Sequence, residues 1–73
     1  MDIFAERFKE LKAKKGCTYK EIADYLGLKL RIVQFYAAGE YKPDYYGLVK
    51  LADFFGCSVD FLVGRTDNPK INL

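Results

Sequence analysis

The sequence predicts an all-α protein, one compact bundle of five short helices. Apolar residues recur at three- and four-residue intervals, the spacing of a buried helix face. Glycines interrupt that pattern at Gly16, Gly27, Gly39, Gly56 and Gly64. Nothing but helix packing is available to hold a core, because the 73 residues include no His and only Cys17 and Cys57, far apart. That excludes a zinc cage, a His-based triad and a multi-disulfide scaffold. With 51% apolar and 30% charged residues, the chain is too hydrophobic for a disordered tail and too charged for a membrane protein. No uncharged stretch nears the ~20 apolar residues of a bilayer span, and no basic stretch followed by an apolar run opens the chain as a secretory signal would.

The first helix is set by Phe4, Phe8 and Leu11, with Glu6, Arg7, Lys9, Glu10 and Lys12 between them. It ends at Lys14-Lys15-Gly16, where cations meet the negative end of the helix dipole and glycine suits a left-handed cap. Thr18-Tyr19-Lys20-Glu21 reads as a capping box, in which the hydroxyl and the carboxylate each satisfy an amide at a helix start. The second helix then runs from Tyr19 to Leu26, with Ile22, Ala23 and Leu26 inward, and stops at Gly27. A third spans roughly Lys29 to Ala38, with Ile32, Val33 and Tyr36 inward, and Gly39 closes it. Lys29 stands where a Ser or Thr cap would serve, so this helix lacks a side-chain cap worth about 1 kcal/mol.

Glu40-Tyr41-Lys42-Pro43 forms a loop, since Pro43 turns Lys42 away from helical angles. Asp44 caps a fourth helix through Phe55 that buries Leu48, Leu51, Ala52 and Phe55. Gly47 inside it costs about 1 kcal/mol relative to alanine, with no reason visible in the sequence. Tyr45 and Tyr46 are expected to be partly buried packing residues. Ser58 caps a fifth helix, packed by Val59, Phe61 and Leu62 and ended by Gly64. Residues 1–64 thus form the domain, and 65–73, which lose periodicity, a tail or linker stub.

Free cysteine is among the most buried residue types, so Cys17 and Cys57 are expected as reduced core thiols in a cytoplasmic protein. The net charge of +2 is unevenly spread, with nine Lys/Arg against six Asp/Glu up to Lys42 and three against four beyond. The excess favours an anionic partner on the N-terminal side. Without His, and without paired acids at workable spacing, no catalytic residue, metal ligand or cofactor site is expected, and the chain does not read as an enzyme. The second and third helices, joined by a tight turn at Gly27, have the local pattern of a helix-turn-helix. A helical hairpin with no ligand fits that pattern equally well.

The full set of motifs resembles the phage repressor/Cro type of helix-turn-helix domain, the xenobiotic-response-element-like bacterial regulators with a lambda repressor-like fold. The carrying stretches are Arg7-Phe-Lys-Glu-Leu-Lys12, Lys15-Gly-Cys-Thr18 and Lys20-Glu-Ile-Ala-Asp-Tyr-Leu-Gly27. They continue with Val33 and Tyr36, Gly39-Glu-Tyr-Lys-Pro43, Leu48-Val-Lys-Leu-Ala52 and Gly56-Cys-Ser-Val-Asp-Phe-Leu62. The closing Leu62-Val-Gly-Arg-Thr-Asp67 is similar to regulators of low-GC Gram-positive bacteria and their phages.

The resemblance implies sequence-specific binding to double-stranded DNA by a repressor that acts through operator occupancy. The third helix would lie in the major groove, with Lys29, Leu30, Arg31, Gln34 and Phe35 at base-reading positions. Arg31 can donate two parallel hydrogen bonds to guanine, Gln34 can pair with adenine, and Leu30 and Phe35 can touch thymine methyls. Thr18, Tyr19, Lys20, Tyr41 and Lys42 would contact phosphate, the first three around the amides that open the second helix. Because each domain reads few base pairs, a homodimer on a palindromic operator is expected, its surface formed by the fifth helix, Ile71 and Leu73. No membrane and no small-molecule substrate is implied. Two positions depart from the family pattern: Tyr19 replaces a common Gln, and Ala37 replaces a Glu that would pair with Lys12. Leu30 and Phe35 are apolar where the outer face is usually polar, which leaves a second reading, a scaffold that docks an antirepressor or other protein there.

Overall fold

Four of the five helices begin at a side-chain cap, and α1 to α4 each end at a left-handed glycine. The computed structural model describes residues 2–71, in which the helices are α1 (Ile3–Lys15), α2 (Tyr19–Leu26), α3 (Leu30–Ala38), α4 (Tyr45–Phe55) and α5 (Val59–Leu62). No strand occurs among the described residues. Side chains of Asp2, Thr18, Asp44 and Ser58 cap α1, α2, α4 and α5 by accepting from amides of the first turn. Helix α3 has no such bond, and Lys29 is its cap residue rather than its first helical one. Gly27 adopts the left-handed region at φ 71°, ψ 31°, which costs any residue with a Cβ. There the amide of Leu28 reaches back to the carbonyl of Ala23 at 3.0 Å, ending α2 in a turn tight enough to start α3 two residues later.

One fully buried side chain from each helix meets at the centre: Phe8, Ile22, Val33, Leu51 and Leu62. Each contributes about 1.5–3 kcal/mol by leaving water. Phe8 anchors an aromatic cluster, stacked on Phe4 at 5.6 Å and meeting Tyr36 and Phe55 edge-on at 6.4 and 6.0 Å. Helix α1 packs against α3, α4 and α5, while α2 lies against α3 and α4. Ile32, Leu48 and Phe55 are half-buried at the edge of this core, and Ala37, not read as inward from the sequence, is buried. Cys17 and Cys57 are both buried and unbridged.

Gly47 has a steric reason. A Cβ there would lie 2.9 Å from the Cβ of buried Pro43 and 3.2 Å from the Asp44 carboxylate, which caps α4 by accepting from the Gly47 amide at 2.8 Å. The loop can fold over the start of α4 only because that residue has no side chain. Tyr45 and Tyr46 contradict the sequence expectation: they are 72% and 74% exposed, because the first turn of α4 stands clear of the core.

Residues 65–71 form no regular element, yet they lie against the bundle. The Arg7 guanidinium donates to the carbonyls of Phe61 and Thr66, binds the Asp67 carboxylate at 2.8 Å and lies over the Phe61 ring at 4.1 Å. The amide of Ser58 donates to the carbonyl of Pro69 at 2.9 Å. Of the surface expected for a dimer, α5 packs Val59, Phe61 and Leu62 against the core as their spacing requires, Ile71 is half exposed, and Leu73 lies outside the described residues.

Candidate nucleic-acid interface

Helix α3 divides its residues between two faces. Val33, Tyr36 and Ala37 are buried against α1 and α2 and fix the helix in place. Burial pushes the Tyr36 hydroxyl above its ordinary pKa, and the Asp44 carboxylate adds to the shift, so the support behind the helix stays neutral. On the opposite face Lys29, Leu30, Arg31 and Gln34 are exposed. No acid occurs anywhere in α3. The two ion pairs among the described residues, Arg7–Asp67 and Lys20–Asp24, leave Lys29, Arg31 and Lys42 unpaired. A guanidinium in this state has its whole donor fork available to a planar acceptor pair.

Phe35 differs from the other four. It is half-buried, and Tyr41 packs against its ring at 4.8 Å, while the amides of Glu40 and Tyr41 both donate to the Phe35 carbonyl. The C-terminal end of α3 and the following loop are thereby tied together, with Tyr41 and Lys42 exposed beside the outer face.

At the start of α2 the capping box engages the amide of Thr18 and the acceptor side of its hydroxyl. Its hydroxyl accepts from the Glu21 amide at 3.1 Å, and its own amide donates to the Glu21 carboxylate at 2.9 Å. The Thr18 amide is therefore engaged within the chain, and the proton of its hydroxyl is the donor Thr18 can still offer a phosphate. The donors without an intrahelical acceptor are those of Tyr19 and Lys20. This consequence was present in the Thr18–Glu21 spacing. The Tyr19 ring is half-buried and stacked on Phe8 at 6.2 Å, with the Lys12 ammonium 4.5 Å above it. The two family departures thus compensate each other: Lys12, lacking an acid at position 37, rests on the aromatic ring that replaced Gln. Lys20 bridges to Asp24 at 3.2 Å, an exposed pair that contributes little and opens readily.

A short helix, a left-handed glycine turn and a second helix with an acid-free exposed face define a helix-turn-helix protein. The helix-turn-helix family model matches residues 8–62, and the chain belongs to that family. It is 36% identical over 64 residues to the SPbeta prophage-derived uncharacterized HTH-type transcriptional regulator YonR of Bacillus subtilis (strain 168), covering 88% of this chain and 59% of YonR. Against the HTH-type transcriptional regulator ImmR of the same organism the identity is 33% over 67 residues, covering 92% of this chain and 53% of ImmR. The crystal structure of a transcriptional regulator from Listeria innocua matches with a TM-score of 0.80 and 43% identity, covering 84% of this chain and 57% of that one. The chain spans between half and two thirds of the length of these relatives. No helix among the described residues is long and apolar enough to cross a membrane.

Proposed function

We propose that this chain binds double-stranded DNA sequence-specifically as a transcriptional regulator, a repressor that occupies a palindromic operator as a homodimer in the cytoplasm. The observation that carries the reading is the outer face of α3, where Lys29, Arg31 and Gln34 project unpaired from a helix seated by Val33, Tyr36 and Ala37. Arg31 reads guanine, Gln34 adenine, and Lys29 either guanine or phosphate. Leu30 and the free edge of Phe35 meet thymine methyls. The amides of Tyr19 and Lys20 and the side chains of Tyr41 and Lys42 hold phosphates on either side. The names of the relatives support regulation of transcription, and the unbridged thiols suit a reducing compartment. The naming of the relatives as transcriptional regulators favours DNA over the scaffold reading.

Selection of bound duplexes from a random pool at physiological salt tests specificity and palindromy together. Recovered sites should show two half-sites about one helical turn apart. Arg31→Ala should then weaken binding to the selected site by ~1–3 kcal/mol and relax preference at one base pair. An unselected pool, or an Arg31→Ala variant with wild-type affinity and preference, overturns the assignment.

A further inference from the structure

Residues of α2, α3 and α4 border an open cleft of about 400 Å³, within the range that accepts small ligands. Its floor is apolar, from buried Leu26 and the ring of Tyr36, with exposed Leu28 beside them. Tyr36 is 7% exposed, and its hydroxyl takes part in no hydrogen bond among the described residues. The side-chain oxygen that is both sealed and unpartnered there is Asp2 Oδ2, so the Tyr36 hydroxyl opens to the cleft its side chain lines. A protonated phenol so placed can donate to an acceptor entering the cleft. The rim carries Lys42, Lys50 and Asp44, all exposed. Neither lysine is ion-paired, since the pairs among the described residues are Arg7–Asp67 and Lys20–Asp24. Asp44 has one oxygen occupied by the Gly47 amide at 2.8 Å, where it caps α4. Two ammonium groups against one carboxylate leave the cleft an excess of one positive charge.

From this arrangement we propose that the cleft binds a small organic anion of single negative charge with an apolar body. Lys42, Lys50 and the Tyr36 hydroxyl hold its acid group, and its body lies over Leu26 and Leu28. Lys42 is also a proposed phosphate contact, so an occupied cleft and a bound duplex compete for one ammonium. The anion therefore lowers DNA affinity, and DNA lowers anion affinity by the same factor, a consequence that rests on the DNA-binding reading above.

The test titrates the protein, without DNA and at constant ionic strength, with benzoate and with benzenesulfonate while backbone amide shifts are followed by NMR. At least one acid should give saturable shifts concentrated at Leu28, Tyr36 and Gly47, where benzylammonium gives none. Tyr36→Phe should weaken that binding by about tenfold, the scale of a hydrogen bond to a charged group. Lys50→Ala should weaken it by about threefold. Lys9→Ala, which removes the same exposed charge from α1, should bind as wild type. The site is overturned by no saturable shift with either acid, by shifts spread along the lysines of α1, or by an equal response to benzylammonium. Wild-type affinity in both Tyr36→Phe and Lys50→Ala overturns it as well. The acid that binds should also weaken binding to the selected duplex more than an equal concentration of sodium chloride does. Equal weakening overturns the competition and leaves the site. If wild type binds no duplex, the DNA-binding reading has failed, and the titration without DNA still decides the cleft.

Discussion

Tyr36 and Cys57 are both buried in the core, and burial holds both neutral there. Burial raises each pKa above its ordinary value, 10.0 for the phenol and 9.0 for the thiol, with Asp44 adding to the first. Below pH 9.0 both groups are protonated in the folded and unfolded chain alike, so their contribution to stability is complete. Above it the unfolded chain releases protons that the folded chain retains, and stability falls as pH rises, through Cys57 first and then Tyr36. Tyr36→Phe is expected to flatten the part of this decline above pH 10.0 in thermal melts across alkaline buffers. A decline of the same slope in wild type and variant would show that Tyr36 does not carry it. Residue identity was legible in the sequence where a single side chain decided the outcome, as at Tyr36, whose spacing placed it inside. It was not legible where two departures answered each other: Lys12 over Tyr19 is a contact between α1 and α2 that no local spacing encodes. Tyr45 and Tyr46 misled for a related reason, since aromatic character argues for burial and only the packing of α4 shows that nothing covers them.

Helix boundaries were the most legible feature, because capping is local chemistry. Thr18 with Glu21, Asp44 and Ser58 each announce a start within four residues, and the glycines supply the left-handed stops. The boundary of α3 was displaced by one residue because Lys29 offers no side-chain signal. Gly47 was opaque because its cause lies across a turn, in Pro43. Two principles now predict opposite signs for Gly47→Ala. Helix propensity alone gives a gain of about 1 kcal/mol. The added Cβ would meet the ring of buried Pro43, which has no rotamer to escape into, and would press on the capping carboxylate. Packing should win, with a net loss of about 1–2 kcal/mol seen as a lower denaturation midpoint at unchanged m-value. A raised midpoint would mean that the Pro43 turn yields.

At the scale of the molecule, a radius of gyration of 11.1 Å matches the roughly 11 Å expected of a folded chain this size. The arrangement divides labour: α2 and α3 present the face proposed above to read DNA, while α1 packs against α5. Arg7 is the joint. Its fork, 16% exposed, holds two carbonyls and a carboxylate contributed by residues 61, 66 and 67. Nothing in the periodicity of the sequence marks this clasp, because its partners are 54 to 60 positions away and two of them are backbone. Arg7→Ala should cost about 1–3 kcal/mol, chiefly by leaving the Thr66 carbonyl without its donor while the Phe61 carbonyl keeps the Gly64 amide, and should expose the 65–71 segment to limited proteolysis. Arg7→Lys should rescue little, since an ammonium cannot span the same fork. Wild-type resistance to protease in Arg7→Ala would show that the Ser58–Pro69 bond suffices to hold the segment.

That clasp also sets an order of events when the chain is made. Synthesis proceeds from the N-terminus, so α2 and α3, whose mutual contacts are close in sequence, can meet early. Arg7 must wait for Thr66 and Asp67 to leave the ribosome before it has anything to hold. The clasp can therefore close only after residues 61–67 have emerged, whereas α2 and α3 are available to each other about thirty positions of synthesis earlier.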